Sequence, residues 1–343
     1  MQALPLIDCQ SHLIPPFFFD LINEHGTSQL SATLVSPVDS VPETDPNILV
    51  TFDQRFSLLL RSADLTPSAA IQRMDKCGIS TSVISLNMPG AELFAPGAQS
   101  DVAQRCNDWL SSTCEESHGR LVGIAQLPWL DLEASLHEIE RAINMLNMRG
   151  FLLPSNIAGN PVDAEQFLPI YEEIAARNVP LLIHPAHPGW STEIIDYSMV
   201  PMLGFMTDSS IAALRLILSG ISTQVPNLKI VHPHCGGVLP WLIPRVEEQT
   251  ETKGRGREHI SERPGLLYRD FYVDLQAPST EQITWVADHS RPDRLLFATD
   301  APWVDSKLMI DLFMAAQMDE ETRARAAWRN ASELFNIAVA EKQ

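Results

Sequence analysis

Residues 179–184 read Val-Pro-Leu-Leu-Ile-His, a short apolar run that stops on a histidine. A run of that length between polar stretches marks a strand buried on both faces, as in a parallel sheet. Reading outward, the same alternation recurs on both sides. Upstream lie a helical pattern over 163–177, a strand over 150–153, a helix begun by Asp131 and running to 148, and a strand over 121–127. Before these come a helix over 67–76 closed by Gly78, a strand over 82–86, and a helix capped by Asp101 and ending at 116. Downstream lie a helix over 209–219, a strand over 228–231, a helix over 239–249, a strand over 271–275 and a helix over 280–289. A last strand over 295–298 and helices over 306–317 and 320–339 complete the chain. The first strand, 4–9, stands apart. Residues 13–66, rich in Pro, Ser and Asp, read as a long irregular excursion after it.

Eight strands alternating with helices imply parallel pairing through right-handed crossovers, and eight such units close into a (β/α)₈ TIM barrel. An open doubly wound sheet is the competitor, but no Gly-x-Gly-x-x-Gly follows the first strand. The 343 residues are read as one barrel domain, 1–343, interrupted by the 13–66 excursion. Hydrophobic residues make up 45% and charged residues 20%, a composition that can fill such a core. The 43 acidic residues outnumber the 24 basic ones, for a net charge of −19. So acidic a chain repels phosphate backbones and anionic lipid, which argues against nucleic-acid and membrane partners. The apolar runs are too short to cross a bilayer, and the N-terminus lacks a basic stretch before an apolar core. The five cysteines are scattered and none forms a Cys-x-x-Cys pair. Reduced thiols in a cytoplasmic enzyme are the expectation.

In a parallel barrel the chemistry gathers at the C-terminal ends of the strands. Strand one runs into Asp8-Cys9-Gln10-Ser11-His12, where period two puts Asp8, Gln10 and His12 on one face. The strand through Ile183 ends at His184, and the strand through Val231 ends in His232-Pro233-His234-Cys235-Gly236-Gly237. The last strand ends in Thr299-Asp300-Ala301-Pro302-Trp303. Imidazoles and a carboxylate suit a divalent metal, and His12, His184 and Asp300 supply the three protein ligands usual in a catalytic site. Each residue also has a structural reading. A lone strand-end His is often a hydrogen-bonded packing group, which fits His232. Asp300 before Ala-Pro can simply start a turn, His187 can be a loop residue, and Asp274 can brace a neighbour.

The chain resembles the amidohydrolase-related family, in its branch around aminocarboxymuconate-semialdehyde decarboxylase and gamma-resorcylate decarboxylase. The matching segments run in order along nearly the whole chain. They are Ile7-Asp8-Cys9-Gln10-Ser11-His12, Arg73-Met74-Asp75-Lys76-Cys77-Gly78-Ile79, Leu182-Ile183-His184-Pro185 and Leu216-Ile217-Leu218-Ser219-Gly220. They continue with His234-Cys235-Gly236-Gly237 through Arg245, Phe271-Tyr272-Val273-Asp274, Ala298-Thr299-Asp300-Ala301-Pro302-Trp303 and Asn330-Ala331. The resemblance implies a distorted amidohydrolase-type barrel holding one divalent ion, zinc first and manganese second. His12, His184 and Asp300 would be its ligands and His234 the acid–base group beside it. Arg245 matches a position that reaches a neighbouring subunit's site to hold a substrate carboxylate, which implies a homodimer or higher oligomer. Arg55 or Arg61 would be a further substrate arginine, and His187 and Trp190 are candidate substrate contacts. The chain departs from the family at Gln10, where relatives carry His-x-His or Glu-x-His. A neutral amide oxygen is a weaker ligand than either.

The expected activity is a metal-dependent, non-oxidative decarboxylation of a small aromatic or dienoic carboxylic acid, with His234 or Asp300 supplying the proton. The runner-up is a metal-dependent hydrolase of an amide or lactone on the same barrel. A third reading is a barrel that has lost catalysis and serves as a binding scaffold, which only Gln10 favours.

Overall fold

The computed structural model describes residues 4–35, 47–86 and 88–338. The first strand, β1 (Ile7–Leu13), is followed by β2 (Leu30–Val35), β3 (Asn47–Phe52) and β4 (Phe56–Leu60), which pair only with one another. Seven further strands follow: β5 (Thr81–Leu86), β6 (Leu121–Gly123), β7 (Phe151–Pro154), β8 (Pro180–His184), β9 (Lys229–His232), β10 (Tyr272–Asp274) and β11 (Leu295–Leu296). β1, β5 and β6 pair in parallel, as do β7 through β11. A bridge from Ala125 to Phe151 joins the two sheets on one side. On the other, the Cys9 N–H donates to Phe297 O at 2.9 Å and the His12 N–H to Ala301 O at 2.8 Å. The result is a closed eight-stranded parallel barrel wrapped by helices, as the alternation predicts.

Period two sorts the side chains. Ile7, Cys9, Val83, Ile124, Leu152, Leu182, Val231 and Leu296 form one buried cluster drawn from six of the eight strands and the residue after β6, with Tyr272 of β10 packed against it; this is the lumen. Ala331, Leu334 and Phe335 from the last helix, Asn330–Phe335, join that cluster as a plug. The alternate residues, among them Phe151, Leu153, Leu181, Ile183, Ile230, Val273 and Phe297, belong to the larger core beneath the helices.

Three expectations are corrected. The described residues of 13–66 are not irregular: they hold a helix, Phe18–His25, and the antiparallel sheet β2–β3–β4, while 36–46 lie outside the described residues. The β3–β4 turn has left-handed Asp53 (φ 48°) and Gln54 (φ 57°), with the Arg55 N–H donating to Phe52 O at 3.0 Å. This backbone usually announces itself through glycine, which is absent here. The sheet buries Ile48, Val50, Phe52 and Leu60 against Phe18, Leu21 and Phe94, a second core beside the barrel. Next, the helical stretch Asp196–Leu218 is long and apolar enough to cross a membrane, with mean hydropathy 1.2. Half of that window is buried within the molecule, and its main helix, Phe205–Leu218, lies against β8 and β9. The last helix also ends early, at Phe335, where Asn336 turns left-handed (φ 51°).

Glu92, on the 3₁₀ turn Ala91–Leu93 after β5, is buried. Burial pushes its carboxyl up from 4.5 to about 7. Between those values the folded chain holds a proton that the unfolded chain releases, so stability falls as pH rises through this window. Glu92→Gln is therefore expected to stabilise by about 3 kcal/mol above pH 7 and to change little below pH 4.5. Denaturant melts at pH 4 and pH 8 measure the difference.

Candidate active site

A β-bulge places the first motif. β1 pairs Asp8 with Ser82, but the register then shifts so that Ser11 meets Ile84 and His12 meets Ser85. Before the bulge the odd residues Ile7 and Cys9 face the lumen; after it Gln10 and His12 reach the rim. Asp8 is therefore separated from the face it was expected to share. Its carboxylate accepts from the Thr299 N–H (2.9 Å) and Oγ1 (2.7 Å), locking β1 to the segment that carries Asp300. Burial pushes Asp8 up to about 7 against those hydrogen bonds.

His12, His184, His234, Gln10 and Asp300 come together. His12 Nε2 lies 3.2 Å from Asp300 Oδ1, and its Nδ1 lies 3.2 Å from Ser85 Oγ. The His12 and His184 rings meet edge to face, with centroids 4.9 Å apart. His184 Nδ1 lies 2.9 Å from Pro185 O, a contact that needs its proton there and leaves Nε2 with a lone pair. Burial, and then His12, push His184 down to about 3, so the ring is neutral. Burial opposes ionisation of Asp300, but the hydrogen bonds and charges of His12 and His234 outweigh it and hold the carboxyl below its usual range. His234 Nε2 lies 3.6 Å from Asp300 Oδ2. Burial would lower the His234 pKa, yet Asp300, with help from Asp274, raises it.

Gln10 Nε2 sits 3.3 Å from Asp300 Oδ1 and 3.3 Å from His234 Nε2. An amide N–H donates to His234 only while that nitrogen is unprotonated; Asp300 favours the protonated ring. His234 thus stands between two bonded states that differ by one proton. Its backbone is left-handed (φ 56°), as is that of Asp300 (φ 59°), a conformation that costs a non-glycine residue about 1–3 kcal/mol and clusters at functional sites. The Asp274 carboxylate accepts from the His234 N–H at 2.7 Å and fixes this turn, confirming the bracing reading.

His232 does not point with His234. The strand ends at His232, whose Nδ1 meets Tyr268 Oη at 3.0 Å in the layer outside the lumen, and left-handed His234 and Cys235 then break the period. The residues expected to contact substrate lie elsewhere. The His187 ring stacks on Phe52 and Phe56, and its Nε2 lies 3.7 Å from Asp53. The Trp190 indole donates to Asp208 at 3.0 Å, and Arg55 donates to Thr192 at 3.0 Å. Arg61 is exposed, and Arg245 pairs with Glu248 on its own helix at 3.0 Å. None of the five lines the cavity of about 290 Å³ that opens over His184, His234 and Asp300. The lining instead includes Leu58, Met88, Phe205, Met206, Gln276 and Trp303. Gln276 carried a signal, two residues past Asp274 on the inward face. Leu58 carried none, because the β3–β4 hairpin that delivers it was unread.

The donor types fit a divalent cation: two imidazoles, one of them held neutral, and an ionised carboxylate. Gln10 Oε1, buried without a partner, is a neutral oxygen the set can add. As the side chains stand, Asp300 is engaged by His12, His234 and Gln10, and among the described residues no three His, Cys, Asp or Glu form a closed ligand cage.

The amidohydrolase family model matches residues 7–337. Gamma-resorcylate decarboxylase of Polaromonas sp. is 29% identical over 281 residues, covering 78% of this chain and 86% of that one. The 6-methylsalicylic acid decarboxylase of Penicillium expansum is 30% identical over 271 residues, covering 75% and 82%. A dihydroxybenzoic acid decarboxylase of Polaromonas sp., solved with manganese and the inhibitor 2-nitroresorcinol, superposes with a TM-score of 0.79 at 24% identity over 98% of each chain. The chain belongs to the amidohydrolase family, in the branch whose named members are carboxylic acid decarboxylases.

Proposed function

We propose that the protein is a metal-dependent, non-oxidative decarboxylase of a small aromatic carboxylic acid. The observation that carries this reading is His234, a buried imidazole between Asp300 and Gln10 at the mouth of a single-ring-sized cavity. His12, His184 and Asp300 would hold one divalent ion, manganese or zinc. That ion, when bound, supplies Lewis-acid binding of substrate oxygens.

The remaining steps belong to the chain. The apolar walls Leu58, Met88, Phe205 and Trp303 hold the ring and exclude water. His234 Nε2 gives its proton to the ring carbon that carries the carboxylate. The bond from that carbon to the carboxylate carbon then breaks, its electron pair returns to the ring, and carbon dioxide leaves. His234, now neutral, accepts the Gln10 N–H and is reprotonated from water. Asp300 stabilises the charged ring before transfer. Arg245, on the exposed side of its helix, would meet the acid's carboxylate only from a second copy, so a dimer is part of the proposal.

The test is release of carbon dioxide from a panel of substituted benzoates by manganese-loaded protein. A hydrolase would instead consume water, open an amide or lactone, and release no carbon dioxide.

A further inference from the structure

The cavity contains one polar side chain that no hydrogen bond in the fold accounts for. Gln276 is 8% exposed and lines the space over His184, His234 and Asp300. Its backbone N–H donates to Asp274 Oδ1 at 3.2 Å, but among the described residues its side-chain amide has no partner. Facing the cavity with no side-chain bond in the fold to break, the amide is free to bond a group on a ligand. Gln276 is also held in register with the acid–base group: the carboxylate oxygen that accepts its N–H also accepts the His234 N–H, at 2.7 Å. Asp274 therefore sets the spacing between the two. The rest of the lining beyond the His–Asp cluster is Leu58, Met88, Pro185, Pro201, Phe205, Met206 and Trp303. No lysine or arginine is among these residues, and none occurs at 36–46 or at residue 87.

From this geometry we infer that Gln276 is the specificity-determining residue of the cavity, its amide binding a neutral hydrogen-bonding substituent on the substrate ring. The inference rests on the decarboxylase reading for the identity of the ring. An amide offers one acceptor and two donors and no charge. It matches a hydroxyl, which both donates and accepts, and it offers nothing to balance a second carboxylate on the ring. With the ion and a second copy's Arg245 engaged by the reacting carboxylate, the apolar lining adds no compensation for that second charge, whose burial without a partner is disfavoured. The substrate class is therefore an aromatic monocarboxylate with a neutral polar substituent, rather than a dicarboxylate.

The experiment is equilibrium binding by calorimetry to the manganese-loaded full chain, which does not depend on turnover. The probes are 2-hydroxybenzoate, 3-hydroxybenzoate, benzoate and benzene-1,3-dicarboxylate. Wild type is expected to bind one hydroxybenzoate about tenfold or more tighter than benzoate, and the dicarboxylate more weakly than benzoate. Gln276→Leu, close in volume, is expected to erase the preference for the hydroxyl while leaving benzoate affinity within about twofold. Gln276→Asn should retain part of the preference. Tightest binding of the dicarboxylate, absence of hydroxybenzoate binding, or an undiminished hydroxyl preference in Gln276→Leu overturns the assignment. The wild-type comparison needs no variant and stands even if a substitution impairs folding. If hydroxybenzoates bind with the expected selectivity and no carbon dioxide is released, the decarboxylase reading fails while the role of Gln276 holds.

Discussion

Replacing His234 with alanine is expected to lower kcat for decarboxylation by about 10²-fold or more while leaving bound metal unchanged. Loss of a positioned acid–base group has that size. The imidazole is the group with a raised pKa at the cavity wall, and Asp300 is the reason it holds a proton. Its alanine variant keeps His12, His184 and Asp300, so the set that would bind the ion is intact. Parallel measurement of kcat and of metal by elemental analysis separates the roles. Loss of metal in step with activity makes His234 a ligand instead.

The second large effect falls on metal retention. Asp300→Asn and His184→Ala are each expected to weaken binding by more than the roughly 10–100-fold that loss of an outer partner costs. Asparagine keeps the shape of Asp300 but removes the charge that His12 and His234 stabilise. Gln10→Ala is expected to stay within that 10–100-fold range, because the residue offers a neutral oxygen and hydrogen bonds to Asp300 and His234. Gln10→His should tighten binding, since an imidazole replaces an amide at a position already facing Asp300. Activity need not follow, because a further strong ligand can fill the position a substrate requires. Dialysis against graded chelator followed by elemental analysis reads all four variants. Equal retention by wild type and Asp300→Asn contradicts the ligand assignment.

Much of the barrel was legible because it is written in period two and in helix caps. The helix Leu132–Asn144 starts where Asp131 signals it, the carboxylate accepting the Ala134 N–H at 3.0 Å. The helix Pro67–Cys77 stops at left-handed Gly78 (φ 73°), and Thr280–His289 has the expected bounds. The convergence of His12, His184, His234 and Asp300 was legible too, because each sits at or just past a strand's C-terminal end. What stayed hidden depends on backbone irregularity. The bulge between Asp8 and Ser11 changes which residues face inward, and no glycine marks it. The left-handed backbone at His234 and Cys235 turns His234 inward while His232 faces outward. The Asp53–Gln54 turn, again without glycine, concealed the β3–β4 hairpin and with it the wall residue Leu58 and the seat of His187 against Phe52 and Phe56. The arginines expected to meet substrate were hardest to place, because a long charged side chain is positioned by its local partners: Thr192 for Arg55 and Glu248 for Arg245.

Carbon–carbon cleavage at this site is read most simply from product stoichiometry. Manganese-loaded protein is incubated with a hydroxybenzoate that binds, and carbon dioxide and the corresponding phenol are quantified together. Equimolar carbon dioxide and phenol are expected with no external oxidant, about 10²-fold or more slower in His234→Ala. Ring-opened or hydrolysed products without carbon dioxide, or unchanged release by His234→Ala, would contradict that expectation.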